Sequence, residues 1–253
     1  ELEAATAELR SANERLKELD RLKDDFMSSV THELRTPLTS IRAFSEMLLE
    51  DPRIDLAERK RFLGIIVSET ERLTRLVNQV LDMAKIESGH ADWHNGEVSL
   101  VEVIEQAAAS TSQLFKDKGV TLDMALPGQV PILLADRDRL VQVMLNLLSN
   151  AVKFVDAGRG RVWVALAECA EGLRVDVRDN GPGLTPEEQL VVFEKFRQGG
   201  NTMTDKPQGT GLGLPISRQI VEHYGGRLWV ESAAGEGACF SFLMPCGKST
   251  ETK

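Results

Sequence analysis

The sequence predicts an α-helical hairpin followed by an α/β two-layer sandwich. Three observations support this fold class: apolar residues repeat in heptads early in the chain, short strand patterns alternate with helices after Asn95, and 253 residues leave room for two small domains. The chain is 42% hydrophobic and 27% charged. Both values lie near the average of globular proteins, so extensive disorder is excluded.

A heptad pattern over residues 1–28 predicts the first helix. Its apolar stripe is too narrow for an ordinary globular helix, which favours a dimeric coiled coil over a single amphipathic helix. The chain starts within this pattern and has no initiator Met, so we expect a piece of a longer protein. The a positions are Leu2, Leu9, Leu16, Lys23 and Val30, and the d positions are Ala5, Ala12, Leu19 and Phe26.

A second helix is predicted over residues 56–87, between breaks at Asp51-Pro52 and Ser88-Gly89. Its apolar stripe contains one charged residue, Glu69. One hairpin cannot bury the stripes of both helices, so two copies should form a four-helix bundle. The apolar members of the second stripe are Phe62, Ile66, Leu73, Leu76, Val80 and Met83.

The part of the chain after Asn95 mixes helices with strands. Residues 180–210 are rich in Gly, Pro, Thr and Asn and are predicted to form a loop with one short helix over 186–196. A loop of this length inside a compact domain is typical of a functional lid. The other helices are predicted over 100–118, 136–155 and 212–224, and the strands over 120–124, 130–134, 161–167, 173–179, 227–232 and 238–244.

The composition argues against several classes of function. The formal net charge is −9, and no nucleic-acid partner is expected because binding to a phosphate backbone depends on Lys and Arg. The three cysteines have no CxxC spacing, which argues against a zinc site and a disulfide framework. No apolar run approaches the roughly 18 residues that a membrane span needs.

His32 is the first candidate for chemistry. Counting heptads from Val30 places it at position c, which faces solvent. The alternative to a chemical role is a solvent-exposed His with no function. Glu33 follows it directly, Thr36 shares its helix face, and Pro37 should bend the helix below it. Imidazole is a nucleophile near neutral pH, and a neighbouring carboxylate can orient the ring and accept its proton.

The helix over 136–155 carries a polar stripe opposite its apolar face. The sequence has no GxxxxGK[ST] motif, so a P-loop is excluded. An Asn carbonyl can join the oxygen shell of Mg²⁺, and a Lys one turn away can meet phosphate oxygens. A merely solvated face is the alternative. The stripe consists of Arg139, Gln142, Asn146, Asn150 and Lys153.

Asp179 ends a predicted strand and begins the sequence DNGPG. An ordinary Asn-Gly turn is one interpretation. In the other, the carboxylate accepts a hydrogen bond from the exocyclic amine of adenine and selects ATP over GTP. Gly181 and Gly183 would allow close approach of the backbone to the base. Gly209, Gly211 and Gly213 open the last predicted helix, where backbone amides can face phosphates.

Five motifs occur in the order that sensor histidine kinases of two-component systems show. FMSSVTHELRTPL over 26–38 resembles their H box, and NLLSNAVKF, DNGPG, FEKF and GTGLGL resemble their N, G1, F and G2 boxes. The resemblance implies a dimerisation and phosphoacceptor domain followed by a Bergerat ATP-binding fold. It implies that His32 takes the γ-phosphoryl group of ATP, that Glu33 acts as base, and that Thr36 orients water in a phosphatase reaction.

The resemblance also implies roles in the nucleotide site. Asn150 would bind Mg²⁺, with Asn146 near the metal and the phosphates. Lys153 would contact phosphate, and Phe154 would line the pocket. Residues 184–208 would form a mobile lid over ATP. The remaining nucleotide-binding candidates are Asp179, Gly181, Gly183, Phe193, Phe196, Gly209, Thr210, Gly211, Leu212 and Gly213.

The predicted organisation has four parts: a coiled-coil signalling helix over 1–28, a dimerisation and phosphotransfer domain over 19–90, a catalytic ATP-binding domain over 95–247, and a disordered tail over 248–253. The expected partners are a second copy of the chain, a response regulator with a receiver Asp, and an upstream sensor domain. The resemblance implies the cytoplasmic portion of a membrane-attached bacterial sensor kinase.

The expected function is Mg-ATP-dependent autophosphorylation of His32, enabled by hinge motion around residues 85–95, followed by transfer to an Asp of the response regulator. Two alternatives come from other classes. One is a catalytically silent dimerisation scaffold, and the other is a Bergerat-fold ATPase in which ATP closes a clamp. The scaffold requires loss of His32, Asn150 or Asp179, and all three are present. The ATPase does not account for the H box.

Overall fold

The computed structural model describes residues 2–51, 53–195 and 211–246, and before residue 27 it describes a continuous helical backbone with a minority of the side chains. The described chain forms two compact units, Glu1–Leu81 and Asp82–Lys253. The predicted disordered tail at 248–253 lies outside the described residues, and the four predicted domain boundaries remain predictions.

Two long helices make up the first unit. Helix α1 spans Leu2–Glu50 and continues through Pro37, and helix α2 spans Leu56–Glu87, so its last residues belong to the second unit. The predicted break between the helices is confirmed. The Asp55 carboxylate accepts a hydrogen bond from the backbone N–H of Glu58 at 2.7 Å, which satisfies an otherwise free donor at the start of α2.

The hairpin buries one stripe of each helix. Val30 and Phe62 are each less than a tenth exposed, and the rings of Phe44 and Phe62 lie 5.2 Å apart. A second set of apolar residues on α2, its second stripe, stays exposed in the single chain, with Thr70 and Thr74 at the intervening 4-3 positions: Leu63, Val67, Val77 and Leu81. Apolar surface at such a spacing is typical of a helix that packs against a further helix.

The second unit combines four helices with seven strands within its described part. The helices are α3 (Leu100–Lys118), α4 (Arg137–Phe154), α5 (Pro186–Val191) and α6 (Gly213–His223). The strands are β1 (Asn95–Val98), β2 (Thr121–Ala125), β3 (Leu133–Asp136), β4 (Arg161–Cys169), β5 (Gly172–Asp179), β6 (Arg227–Ser232) and β7 (Ala238–Met244).

Five of these strands form one mixed sheet in the order β2-β4-β5-β7-β6. Only the β2–β4 pair in this sheet is parallel. Helices α3, α4 and α6 supply the second layer of the sandwich, because each carries a buried apolar face, as do the strands of the sheet. The fully buried residues at this interface include Leu140, Met144, Leu147, Val175, Ile216 and Phe242.

Two strands differ most from the sequence-based expectation, and the other five match it within two residues at each end. Strand β1 was not predicted, and it pairs antiparallel with β3. The strand predicted over 130–134 instead spans Leu133–Asp136, because Val98 pairs with Leu133 and Asn95 with Asp136. The helix predicted over 186–196 ends at Val191. Among the described residues, no helix is long and apolar enough to cross a membrane.

Candidate functional site

His32 lies on the solvent-exposed side of α1, as the heptad count predicts. The Thr36 hydroxyl donates a hydrogen bond to the backbone carbonyl of His32 at 3.3 Å. Thr31 and Thr39 make the same bond one turn back along the helix, so this geometry is ordinary for a helical Thr. The His32 side chain therefore presents its ring to solvent with Thr36 beside it.

Glu33 points the other way, into the hairpin. Its carboxylate accepts a hydrogen bond from the Arg72 guanidinium of α2 at 3.3 Å. Glu69, the charged residue in the apolar stripe of α2, lies 3.6 Å from a second guanidinium nitrogen of Arg72. All three side chains are only 17% to 22% exposed. Arg72 was not predicted as a site residue. The one hint in the sequence was Glu69, an acidic residue inside an apolar stripe.

The polar stripe of α4 divides into two halves with different partners. Its first half binds the end of α2: Arg139 and Gln142 each reach the Asp82 carboxylate at 3.1 Å. The Arg139 guanidinium also lies over the ring of Trp93, 5.9 Å from its centre. Trp93 stacks in turn on His223 at 3.8 Å. Arg139 and Gln142 thus hold the end of α2 and the segment that follows it within the second unit, and they are not merely a solvated face.

The second half of the stripe faces the start of α6. The Asn146 amide nitrogen donates to the backbone carbonyl of Gly213 at 3.2 Å and to the hydroxyl of Ser217 at 3.1 Å. A Cβ at Gly213 would lie 3.3 Å from the Asn146 side chain, so the approach is close. Ser217 is fully buried and was missed by sequence reasoning. The side chain of Asn150, half-buried one turn further on, makes no hydrogen bond within the described part of the chain.

Asp179 is a buried carboxylate, 5% exposed, at the end of β5. Its Oδ1 accepts hydrogen bonds from the backbone N–H of Gly181 at 2.8 Å and of Ala238 at 3.4 Å. No described residue donates to Oδ2. Burial raises the pKa of Asp179 above its ordinary value, and the two backbone donors oppose that rise. One carboxylate oxygen is thus available to a ligand in a desolvated setting.

Three glycines make close approaches in the turns next to Asp179. A Cβ at Gly181 would lie 2.8 Å from the Asp179 carboxylate and 3.0 Å from the backbone carbonyl of Phe154, which brings DNGPG against the end of α4. Gly183 has φ +70°, and its Cβ would lie 2.1 Å from the Ala233 carbonyl. Gly237, which sequence reasoning missed, has φ +82°, and its Cβ would lie 2.0 Å from the Asp179 carbonyl.

Lys118 holds the C-terminal end of α4. Its ammonium donates to the backbone carbonyls of Val152 at 2.8 Å and Lys153 at 2.7 Å, which have no partner within the helix. The Lys153 ammonium lies 4.9 Å from the centre of the Phe154 ring. Lys118 therefore supports the turn that carries both predicted nucleotide contacts, and no motif pointed to it.

Two family descriptions match the chain. "His Kinase A (phospho-acceptor) domain" matches residues 22–89, and "Histidine kinase-, DNA gyrase B-, and HSP90-like ATPase" matches residues 135–248. Together they cover more than half of the chain. The chain belongs to the histidine kinases. The predicted H box thus lies within the phospho-acceptor match, and the predicted N, G1, F and G2 boxes lie within the ATPase match.

The curated relatives of this histidine kinase chain are longer proteins. It is 38% identical over 251 residues to the sensor histidine kinase AruS of Pseudomonas aeruginosa, a match that covers 96% of this chain and 24% of AruS. It is 31% identical over 236 residues to the sensor histidine kinase WalK of Bacillus subtilis, covering 93% of this chain and 38% of WalK. The chain thus spans less than half the length of these relatives.

A solved histidine kinase has a similar structure. ThkA in complex with the response regulator protein TrrA matches with a TM-score of 0.69 and 26% identity, over 95% of this chain and 67% of that one. The similarity supports a helical hairpin followed by the ATPase fold, as predicted.

The kinase structure brings part of the predicted nucleotide site together. Asn146 donates a hydrogen bond to Gly213, and Gly181 packs closely against both Asp179 and Phe154. Phe193 packs against Phe240 of β7 with ring centres 6.4 Å apart, which ties the start of the predicted lid to the sheet. Gly211 has φ +66°, and Leu212 is fully buried. Phe196, Gly209 and Thr210 lie outside the described residues.

Proposed function

We propose that this chain catalyses ATP-dependent autophosphorylation of His32 and passes the phosphoryl group to an Asp of a response regulator. The observation that carries the proposal is the combination, on one chain, of an exposed His in a phospho-acceptor domain and a buried carboxylate with a free oxygen in an ATPase domain. The first supplies an acceptor, and the second supplies a nucleotide site.

Asp179 would select the nucleotide. An adenine amine donating to its Oδ2 would satisfy a buried acceptor, whereas guanine offers a carbonyl at that position and would leave the acceptor unpaired. The backbone N–H groups of Gly181 and Ala238 support this role, because their hydrogen bonds to Oδ1 hold the carboxylate in one orientation. Lys153 and the N-terminal end of α6, next to Asn146, would face the phosphates.

The residues present fit a magnesium ion. Mg²⁺ prefers oxygen ligands and keeps several waters when it also binds phosphates, so one or two protein ligands suffice. Asn150 has a half-buried amide oxygen without a protein partner in the described part of the chain, on the helix face it shares with Asn146. Asn150 would therefore hold the ion, which would neutralise phosphate charge when bound.

The proposed reaction is an in-line displacement on the γ-phosphorus of ATP. An unprotonated ring nitrogen of His32 forms the new P–N bond as the bond to the bridging β,γ-oxygen breaks, and ADP departs with that electron pair. Glu33, whose carboxylate bonds Arg72 in this structure, would turn toward His32 to orient the imidazole and accept the proton that the ring loses. The exposure of His32 supports this step, since the ATP-binding unit must reach it.

The phosphoimidazole would then be attacked by an aspartate oxygen of a response regulator. The solved complex of ThkA with TrrA, which this chain resembles over both units, supports such a partner. Thr36, exposed one turn from His32, would orient water for the reverse, dephosphorylating reaction. The exposed second stripe of α2 supports a homodimer, with the predicted coiled coil extending it.

Labelling with γ-³²P-ATP tests the proposal. We expect Mg²⁺-dependent label that is labile to acid, stable to alkali, and absent from the His32→Gln variant. Thr31→Gln is the matched control, because it makes a similar change on the exposed side of α1 one residue away and should keep the label. Free phosphate without labelled protein would instead indicate the ATPase clamp, and no turnover would indicate the silent scaffold.

A further inference from the structure

The hydroxyl of Ser232, at the end of β6, joins the two turns that flank Asp179. It accepts a hydrogen bond from the backbone N–H of Leu184 at 2.8 Å and donates one to the backbone carbonyl of Gly237 at 2.7 Å. Leu184 directly follows DNGPG, and Gly237 lies in the turn between β6 and β7. One half-buried hydroxyl thus connects the β6–β7 turn to a segment 48 residues earlier in the chain.

The carbonyl that Ser232 binds belongs to the same peptide unit as the N–H that binds Asp179. The peptide bond between Gly237 and Ala238 is planar, and its C=O and N–H point to opposite sides. Ser232 holds the carbonyl side, and the N–H of Ala238 donates to Asp179 Oδ1 at 3.4 Å. A hydrogen bond accepted at the carbonyl also polarises the unit and strengthens its N–H as a donor. Ser232 therefore acts on the Asp179 carboxylate through one rigid group.

The Asp179 carboxylate is held from two separate turns. The other hydrogen bond to Oδ1 comes from the N–H of Gly181 in its own turn, at 2.8 Å. Because the two donors lie on different segments, Oδ1 stays in place only while both turns keep their relative position. The amide nitrogen of Gln189 supports that position, since it donates to the backbone carbonyls of Ser232 at 2.9 Å and Leu184 at 3.2 Å.

We infer that Ser232 is a positioning residue for recognition of the adenine base: by fixing the Gly237–Ala238 peptide, it holds Asp179 so that Oδ2 stays available to the exocyclic amine. The inference rests on the proposed function, in which Asp179 accepts that amine. Without the Ser232 hydroxyl, the Gly237 carbonyl loses its donor and the peptide can tilt away from Asp179. An inosine nucleotide carries a carbonyl in place of the amine, so its affinity should not depend on Ser232.

The binding of two nucleotides distinguishes this role from a purely structural one. Isothermal titration calorimetry gives the Kd for ADP and for inosine diphosphate (IDP), and the ratio of the IDP value to the ADP value measures discrimination. We expect Ser232→Ala to lower this ratio about fivefold, the equivalent of one neutral hydrogen bond, with the Kd for IDP unchanged within about twofold. Ser232→Thr keeps the hydroxyl and should keep the ratio within about twofold of the wild type.

Ser241→Ala is the matched control on β7. It removes a buried hydroxyl that bonds Asp176 at 2.6 Å, on the opposite face of the sheet from Asp179. Its ratio should stay within about twofold of the wild type, even if its thermal midpoint falls. Thermal midpoints are measured for every variant. Ser232→Cys, which has a weak donor of similar size, replaces the Ala variant if the latter melts below the assay temperature.

The inference is wrong if Ser232→Ala keeps the wild-type ratio. It is also wrong if that variant weakens the binding of ADP and IDP equally, since the hydroxyl would then only support the turn. Equal affinity of the wild type for the two nucleotides would instead contradict the proposed role of Asp179 and overturn the inference with it.

Discussion

Single side chains in this protein have roles that depend on burial. Asp179 and Asp176 both lie on β5, and each accepts two hydrogen bonds through Oδ1. The donors to Asp176 are the side chains of Arg174 and Ser241, and its own side chain is 28% exposed, whereas Asp179 is 5% exposed and is held by backbone N–H groups alone. Asp179 is the candidate for ligand recognition, because a desolvated carboxylate gains more from a matching donor than one that water can reach.

Replacement of Asp179 by Asn tests this reasoning. The variant keeps the size of the side chain and removes the charge, so we expect the Kd for a non-hydrolysable ATP analogue to rise about 10- to 100-fold, the equivalent of one charged hydrogen bond. Isothermal titration calorimetry measures it. Asp176→Asn is the matched control on the same strand and should leave the Kd within about twofold. Equal Kd values for Asp179→Asn and the wild type would contradict the role.

The raised pKa of Asp179 makes nucleotide affinity sensitive to acid. Because burial raises this pKa in the folded state, the folded chain takes up the proton before the unfolded chain does, and acidification stabilises the fold through this group. The same proton removes the acceptor that adenine needs. As the pH falls from 7 toward the ordinary range of a carboxyl group, we expect the wild type to lose affinity more steeply than Asp179→Asn. Parallel slopes would argue against titration of Asp179.

At the scale of elements, turns and helix ends hold the site in place. The turn between β6 and β7 packs on DNGPG: the N–H of Gly235 donates to the Pro182 carbonyl, and that of Ala238 donates to Asp179. Lys118 binds the last carbonyls of α4 from α3. Both features join elements that are distant in sequence, so substitutions there should affect the domain as well as the ligand.

Two glycines of the β6–β7 turn form a matched pair. Both have positive φ, +85° at Gly235 and +82° at Gly237, but an added Cβ meets nothing within 4 Å at Gly235 and lies 2.0 Å from the Asp179 carbonyl at Gly237. Each Ala substitution incurs backbone strain of about 1–2 kcal/mol. We expect Gly237→Ala to lose about 1–3 kcal/mol more in a urea titration, and to weaken ATP binding as well. Equal losses would show that strain alone matters.

Removal of the Lys118 charge should destabilise the ATP-binding unit. In Lys118→Met two carbonyls at the end of α4 lose a charged donor, which predicts a loss of about 1–3 kcal/mol in the free energy of unfolding. Lys116→Met, two residues away and exposed, should change it by less than about 0.5 kcal/mol. Chemical denaturation followed by circular dichroism gives both values. A similar small change in the two variants would refute the contribution of Lys118.

At the scale of the whole molecule, the two units differ in how much apolar surface they leave exposed in the single chain. The ATP-binding unit buries its apolar residues between three helices and a sheet, whereas the hairpin exposes a regular apolar stripe on α2, with Leu63 49% and Val67 56% exposed. A four-helix bundle made of two hairpins would bury both stripes of α2. The proposed dimer would cover the apolar area that one hairpin leaves exposed.

A charge on this stripe should separate the dimer. We expect Leu63→Glu to raise the dissociation constant at least about tenfold, because the dimer would bury an unpaired carboxylate. Size-exclusion chromatography with light scattering measures it. Leu114→Glu is the control, since Leu114 is similarly exposed, at 45%, on α3 of the other unit. Dissociation by neither variant, or by both, would contradict an interface on α2.

Local patterns in the sequence determined most of the elements and the motifs they carry. The helix over 100–118 and the strands over 227–232 and 238–244 were predicted to the residue, because hydrophobic period, Gly and Pro act over a few positions. The exposure of His32 and the end of α2 before Gly89 follow from the same short-range information.

Only the tertiary structure decided which polar residues share a partner. Arg72 and Glu33 are 39 positions apart, Gln142 and Asp82 are 60 apart, and β1 pairs with β3 across a helix. Periodicity assigns a residue to a face but not to a neighbour on another element. Periodicity placed Asn146 and Arg139 in the same polar stripe of α4 and could not tell their partners apart. In the folded chain Asn146 bonds Gly213, and Arg139 pairs with Asp82.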